Sequence, residues 1–255
     1  MKSFKQILFS IFVLMVFISH SQSYYEHEFG FNGGFYQLRS DYGERFDSDT
    51  NFGNQGITIG LTYYLNRASR RRINYFKEHT KYRIDLIYSN VNLQHYGQWS
   101  DSPLLEAMTG TFSNIGLSTG LEYYPFGVRK QTFNQWYSLS ETISPYAGVA
   151  VGLNFVSPNA ESSLDGGLDN PSNIFPTFVS QDVDDGLVLD NRVVLSLNLR
   201  LGIRLNLGMR DGIMLESSWM LFGSDLVEGL KPNGPQNKYT DWSWGINIGY
   251  SRLLF

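Results

Sequence analysis

From Leu195 onward the segment 193–207, VVLSLNLRLGIRLNL, alternates apolar residues with polar residues or glycine. In an extended chain Leu195, Leu197, Leu199, Leu201, Ile203, Leu205 and Leu207 share one face, and Ser196, Asn198, Arg200, Gly202, Arg204 and Asn206 share the other. No other feature constrains the fold so tightly. A helix would scatter both sets around its axis, whereas a strand separates them completely. Strands of soluble domains run about five or six residues, and tilted strands that cross a bilayer need about 9–11. This segment is long enough to cross.

Seven other segments repeat the pattern, with Phe29, Phe31 and Phe35 apolar on one face of 28–38, and Ile57, Ile59, Leu61, Tyr63 and Leu65 on one face of 55–65. The corresponding sets are Tyr82, Ile84, Leu86 and Tyr88 in 81–90, and Ile115, Leu117, Leu121 and Tyr123 in 113–124. In 143–156 they are Ala147, Val149, Val151, Leu153 and Phe155, and in 212–222 Ile213, Leu215, Trp219 and Leu221. The last set, in 241–250, is Trp242, Trp244, Ile246, Ile248 and Tyr250. An even count of eight predicts an all-β fold: an eight-stranded antiparallel up-and-down transmembrane β-barrel. With the N-terminus on the periplasmic side, the outside loops fall at about 40–54, 91–112, 157–192 and 223–240. The inside turns fall at about 66–80, 125–142 and 208–212. Tyr63, Tyr82, Tyr123 and Tyr250 then gather at the inside ends of the strands, and Phe35, Phe155, Trp219, Trp242 and Trp244 toward the outside ends. Two aromatic belts of this kind are expected at the two lipid–water interfaces.

The first residues read differently. Lys2 and Lys5 precede an apolar run at 7–18, too short to span a bilayer, and Ser21 and Ser23 supply the small residues of a cleavage site. This predicts a signal peptide over 1–23 and a barrel domain over 24–255, exported and placed in the outer membrane. Loss of Lys2 and Lys5 takes the formal charge from −4 to −6, which argues against nucleic acid as a partner. The chain has no cysteine, which excludes disulfides and lipid attachment through a thiol.

Glycines recur four apart at Gly30/Gly34, Gly56/Gly60, Gly116/Gly120, Gly148/Gly152 and Gly245/Gly249. Residues i, i+2 and i+4 of a strand share a face, and here that face is opposite the apolar set, so the glycines line the lumen. The same inward phase carries Glu28, Arg83, Asp85, Glu122, Arg200, Arg204 and Glu216. An eight-stranded barrel is just wide enough for side chains to fill its interior. The expectation is a lumen plugged by an ion-pair network, with glycine leaving space for the long side chains. Relief of crowding at tight curvature is the alternative role for these glycines.

The stretches YYEHEFGFNGGFYQLRSDYG (24–43) and NQGITIGLTYYLN (54–66), with the closing strand, resemble the small outer-membrane β-barrel proteins of Bacteroidota. The plan is similar to OmpX and the transmembrane part of OmpA, and less specifically to the PorG-type barrels of type IX secretion. The resemblance covers the whole mature chain and implies outer-membrane lipid and the barrel assembly machinery as partners. The terminal Phe255 resembles the sorting signal read by that machinery. The outward phase of 242–250 does not pass smoothly through Arg252 to Phe255, and a bulge is one way to absorb the slip.

Some eight-stranded barrels modify lipid, using a histidine with a serine or an acid. Of His27, His79 and His95, only His95 falls near the outside surface, with Ser100 and Asp101 close in sequence. Nothing distinguishes it from a loop histidine, so no catalytic residue is assigned and a non-enzymatic role is expected. The longest loop holds Glu161, Asp165, Asp169, Asp182, Asp184, Asp185 and Asp190. Its DVDDG lacks the spacing of a calcium loop, so no metal or other cofactor is expected. The basic cluster of Arg67, Arg70, Arg71 and Arg72 falls on the periplasmic side, either as a solvated turn or as a contact for an acidic partner. A structural or interaction protein is the leading reading, with an accessory role in secretion implied by resemblance alone. A lipid-modifying enzyme and a narrow transport channel are the alternatives.

Overall fold

The structure, a computed structural model, describes residues 25–42, 53–67, 75–94, 107–128, 143–170, 173, 187–207, 210–230 and 240–254. Eight strands follow one another: β1 (Tyr25–Arg39), β2 (Gln55–Arg67), β3 (Thr80–Gln94), β4 (Met108–Tyr123), β5 (Ile143–Ser162), β6 (Arg192–Asn206), β7 (Asp211–Phe222) and β8 (Trp242–Leu253). Each pairs antiparallel with the next, and β1 pairs with β8 from Glu28↔Leu253 to Arg39↔Trp242, so the sheet closes on itself. Closure satisfies the backbone groups an open edge would leave unpaired. This is the up-and-down, eight-stranded antiparallel barrel that the alternation predicts.

The alternation decides which way each side chain points. Outward residues such as Phe31, Ile57, Leu86, Leu117, Val151, Leu195, Leu215 and Ile248 are exposed, one or more from every strand. The residues between them, among them Asn32, Thr58, Asp85, Ser118, Asn154, Asn198, Glu216 and Asn247, are buried inside. The outer wall is therefore apolar and the inner wall polar, the reverse of a soluble domain. β8 keeps its alternation through Arg252, with Ser251 buried and Arg252 exposed, and its register with β1 and β7 has no slip. The expected bulge is thus absent through Leu253, and Phe255 lies outside the described residues.

Two departures from expectation share one cause. β4 starts at Met108 and β5 runs to Ser162, so parts of the expected loops 91–112 and 157–192 are strand; β3 likewise continues to Gln94. In these extensions the polarity inverts. Asn92, Gln94, Thr109, Asn159 and Glu161 point out, while Val91, Leu93, Met108, Phe112, Val156 and Ala160 are buried. Scanning for an apolar outer face does not detect strands whose apolar face has moved inside.

The expected inside turn 66–80 also contains a short helix, α1 (Tyr75–His79). It is docked on the turn after β4, with Tyr124 N–H donating to the His79 carbonyl (2.7 Å) and Val128 N–H to the Glu78 carbonyl (2.5 Å). Tyr75 and Phe76 of α1 and Phe126 of the turn are exposed beside the outward Tyr123, whose hydroxyl lies 2.8 Å from that of Tyr75.

Candidate functional site

The interior is filled in three tiers, taken from the end that carries both termini toward the distal end. The first tier is ionic. Arg83 from β3 points across the lumen: its Nε lies 2.8 Å from Asp85 Oδ1, and its Nη1 lies 2.7 Å from Glu122 Oε1 and 2.5 Å from Glu216 Oε2. Arg200 reaches Asp85 Oδ2 at 2.8 Å and donates to Ser118 Oγ at 3.1 Å. Glu28 bridges Arg204 Nη1 (2.5 Å) and Lys81 Nζ (2.9 Å). All seven charged residues of the inward phase are brought into this tier. The sequence reading omitted Lys81, although it shares the phase of Arg83 and Asp85.

Lys81 completes the charge balance. Lys81, Arg83, Arg200 and Arg204 face Glu28, Asp85, Glu122 and Glu216, four cations against four carboxylates. A buried charge is tolerable only when paired and hydrogen-bonded, and here the carboxylates have further donors. Thr62 donates to Asp85 (2.7 Å), Tyr124 to Glu122 (2.6 Å) and Tyr146 to Glu216 (2.8 Å).

Tyr64 joins the two halves of the tier. Its ring carries Arg204 at 4.7 Å, Lys81 at 5.4 Å and Arg83 at 5.6 Å from the centroid, a cation–π hub. Tyr64 and Tyr124 are the second members of the tyrosine pairs in the near-copies GITIGLTYYL (56–65) and GLSTGLEYYP (116–125). In each pair the first tyrosine, Tyr63 or Tyr123, faces out and the second is buried in the lumen. Period two gives Tyr64 and Tyr124 this inward phase, and that was the available signal for two residues the sequence reading passed over.

The second tier is a layer of amides and hydroxyls. Asn32 donates to Thr62 (3.0 Å), Ser89 to Thr58 (3.1 Å), Asn114 to Asn154 (3.1 Å) and Asn154 to Ser196 (2.8 Å). The third tier, at the distal end, is apolar and has no counterpart in the sequence reading. Tyr36, Leu38, Tyr42, Val91, Leu93, Met108, Phe112, Val156, Val194, Met220 and Phe222 close together with Val227 and Leu230 from the segment after β7. The Phe112 and Phe222 rings meet edge to face at 6.0 Å.

Both roles weighed for the glycines occur, at different glycines. A Cβ at Gly120 would stand 2.1 Å from the Val149 carbonyl oxygen, so there glycine permits close approach of two backbones. A Cβ at Gly249 would instead meet the Met214 side chain at 2.4 Å, so there glycine makes room for a lumen residue.

The other candidates fall differently. His27 Nδ1 lies 2.5 Å from the Tyr63 hydroxyl, and His79 Nδ1 lies 2.8 Å from the Tyr75 carbonyl oxygen and stacks on that ring. Among the described residues, neither has a serine and an acid within the hydrogen bonds its ring makes. His95, Ser100, Asp101, Asp182, Asp184, Asp185, Arg70, Arg71 and Arg72 lie outside the described residues, and Arg67 is described for its backbone only. Among the described residues no group of three or more His, Cys, Asp or Glu is arranged to hold a metal ion, and no helix is long and apolar enough to cross a membrane.

The fold is a small closed barrel with a filled interior. No protein-family model matches the chain, and no curated protein matches it. Solved structures with a similar fold include Neisserial surface protein A, at 12% identity, covering 89% of this chain and 97% of that one with a TM-score of 0.42. OprG of Pseudomonas aeruginosa is 13% identical over 91% of this chain and 98% of its own, with a TM-score of 0.43. A major outer membrane protein of Thermus thermophilus is 12% identical over 90% of this chain and 99% of its own, with a TM-score of 0.44.

Proposed function

We propose that this chain is an exported, integral outer-membrane barrel of Gram-negative type, non-enzymatic, with a closed lumen, acting as a structural or interaction protein through its distal loops. The observation that carries this reading is the outer wall. Apolar side chains are exposed on all eight strands, far more than the few hundred Å² that soluble monomers usually leave uncovered. Hydrocarbon is the medium such a surface fits. The inversion of polarity on β3, β4 and β5 fits a wall that leaves lipid and enters water at the distal end. The filled lumen supports a closed barrel in place of a channel.

Residues 1–23 act as the signal peptide, and outer-membrane lipid and the assembly machinery are the partners during biogenesis. The segment with Arg67, Arg70, Arg71 and Arg72 is a periplasmic contact for an acidic protein. Membership among small Bacteroidota barrels, and a role as an accessory of type IX secretion, rest on the resemblance of 24–43 and 54–66.

Planar-bilayer recording with the refolded mature chain tests the closed lumen: a baseline trace is expected, and a large steady conductance overturns it. Membrane placement fails separately, if the mature chain is monomeric and folded in buffer without detergent. Reversing the charge of 67–72 should remove any acidic partner recovered by pull-down; unchanged recovery discards that contact.

A further inference from the structure

After β7, residues 223–230 fold back over the distal end of the lumen. Val227 and Leu230 are buried in the apolar tier, and Glu228 between them is fully buried. Leu230 bridges to Leu187, and Val188 N–H donates to the Gly229 carbonyl at 2.9 Å. Gly229 has φ +89°, a conformation L side chains rarely adopt, which lets the segment turn there.

Two carboxyl groups fasten this cover. Glu228 Oε1 accepts the Asp41 backbone N–H (3.2 Å), which ties the segment to the end of β1. Asp241 Oδ2, just before β8, accepts the Val227 backbone N–H (3.2 Å). The Glu228 and Asp241 carboxyls neighbour each other out of water, 0% and 3% exposed, and Glu228 Oε2 accepts no hydrogen bond among the described residues. A carboxylate only accepts, so two buried carboxyls placed this way can bond to each other only with a proton on one of them.

The charged and titratable surroundings are mostly acidic. Asp41 and Tyr42 follow β1, and Asp225 lies on the segment itself. Arg39 of β1 stands over the Trp242 ring at 5.4 Å, and Arg192 of β6 binds the Val188 and Asp190 carbonyls. Pro158 and Leu189, beside Gly229, are apolar.

We propose that residues 223–230 form a proton-operated latch, in which the Glu228–Asp241 pair, sharing one proton, holds the segment across the distal mouth and releases it when that proton is lost. Burial, with the neighbouring acids, pushes Asp41 up to about 8 and Asp241 to about 7, and burial with the Asp241 charge raises Glu228 as well. The sign follows from linkage. An acid whose value is raised in the closed state binds more protons closed than open. Closing is therefore independent of pH below the ordinary carboxyl range, and the closed state loses population from there up to about pH 8. Each proton released changes the open fraction about tenfold per pH unit in that window.

Hydrogen exchange read by mass spectrometry, on the mature chain folded in detergent micelles from pH 5 to 9, tests the latch. Rates are normalised to unstructured-peptide rates at each pH. Protection of amides 225–230 should fall at least tenfold per pH unit between pH 6 and 8, while strand amides hold. In Glu228→Gln the new amide donates to Asp241 without titrating, so protection at pH 8 should exceed wild type at least tenfold. Heat-modifiable gel mobility confirms that the variant is folded; if it is not, the wild-type titration alone decides. Constant wild-type protection from pH 5 to 9 overturns the latch, as does an unaltered slope in folded Glu228→Gln. Restoration of protection at pH 8 by calcium also overturns it, because a cation would then replace the proton.

Discussion

Arg83 contacts three carboxylates from three strands, Asp85, Glu122 and Glu216, with its side chain almost wholly buried. Truncating it strands those acids without their shared cation, and breaking a buried pair from one side costs about 3–5 kcal/mol. Arg83→Met should therefore lower stability by that amount in urea titrations of the micelle-bound barrel. The glycines offer a sharper contrast. Gly120→Ala forces a methyl into the Val149 carbonyl and should prevent formation of the compact, heat-modifiable gel band. Gly148→Ala meets nothing nearer than 3.5 Å and should fold like wild type. Alternation in the sequence placed Arg83, Asp85 and both glycines on the inward face. Nothing in it separates Gly120 from Gly148, because the distinction lies in how closely β5 approaches β4.

The strands on average exceed what the alternation predicts, and the excess lies where the outer face is polar. Along β4 the sequence of exposure passes from outward Thr109 and Thr111 to outward Ile115 and Leu117, while the inward face passes from Met108 and Phe112 to Ser118 and Glu122. One strand thus carries two opposite patterns, joined near Asn114. A search for a single apolar face reads the distal part as loop, and so misses the plug it builds. Phe112 is fully buried there, and Phe112→Ala should cost about 3–5 kcal/mol by the same urea titration. The helix α1 escaped notice for another reason: five residues are too few to show a 3.6-residue period.

At the scale of the whole molecule, the wall and the filling are complementary. Leu199 sits mid-strand on the outer face of β6, and Leu207 just beyond its end near the termini. If hydrocarbon surrounds the wall, Leu199→Arg should lower folding free energy into lipid vesicles by about 2–4 kcal/mol, and Leu207→Arg by about 0–1 kcal/mol. Equal costs at the two sites would mean that no depth gradient exists.

The sequence by itself determined which side each residue of a strand takes, because a side-chain period of two is a local property of extended backbone. The inward phase of Glu28, Arg83, Asp85, Glu122, Arg200, Arg204 and Glu216 and the outward phase of the leucines were legible for that reason. Only tertiary structure decided who meets whom. Arg83 and Glu216 are separated by 133 positions and come together because β8 closes on β1. The Tyr64 hub, the apolar distal tier and the Glu228–Asp241 pair are likewise products of closure, since a contact across a lumen depends on the curvature of the whole sheet and leaves no periodic trace in the chain.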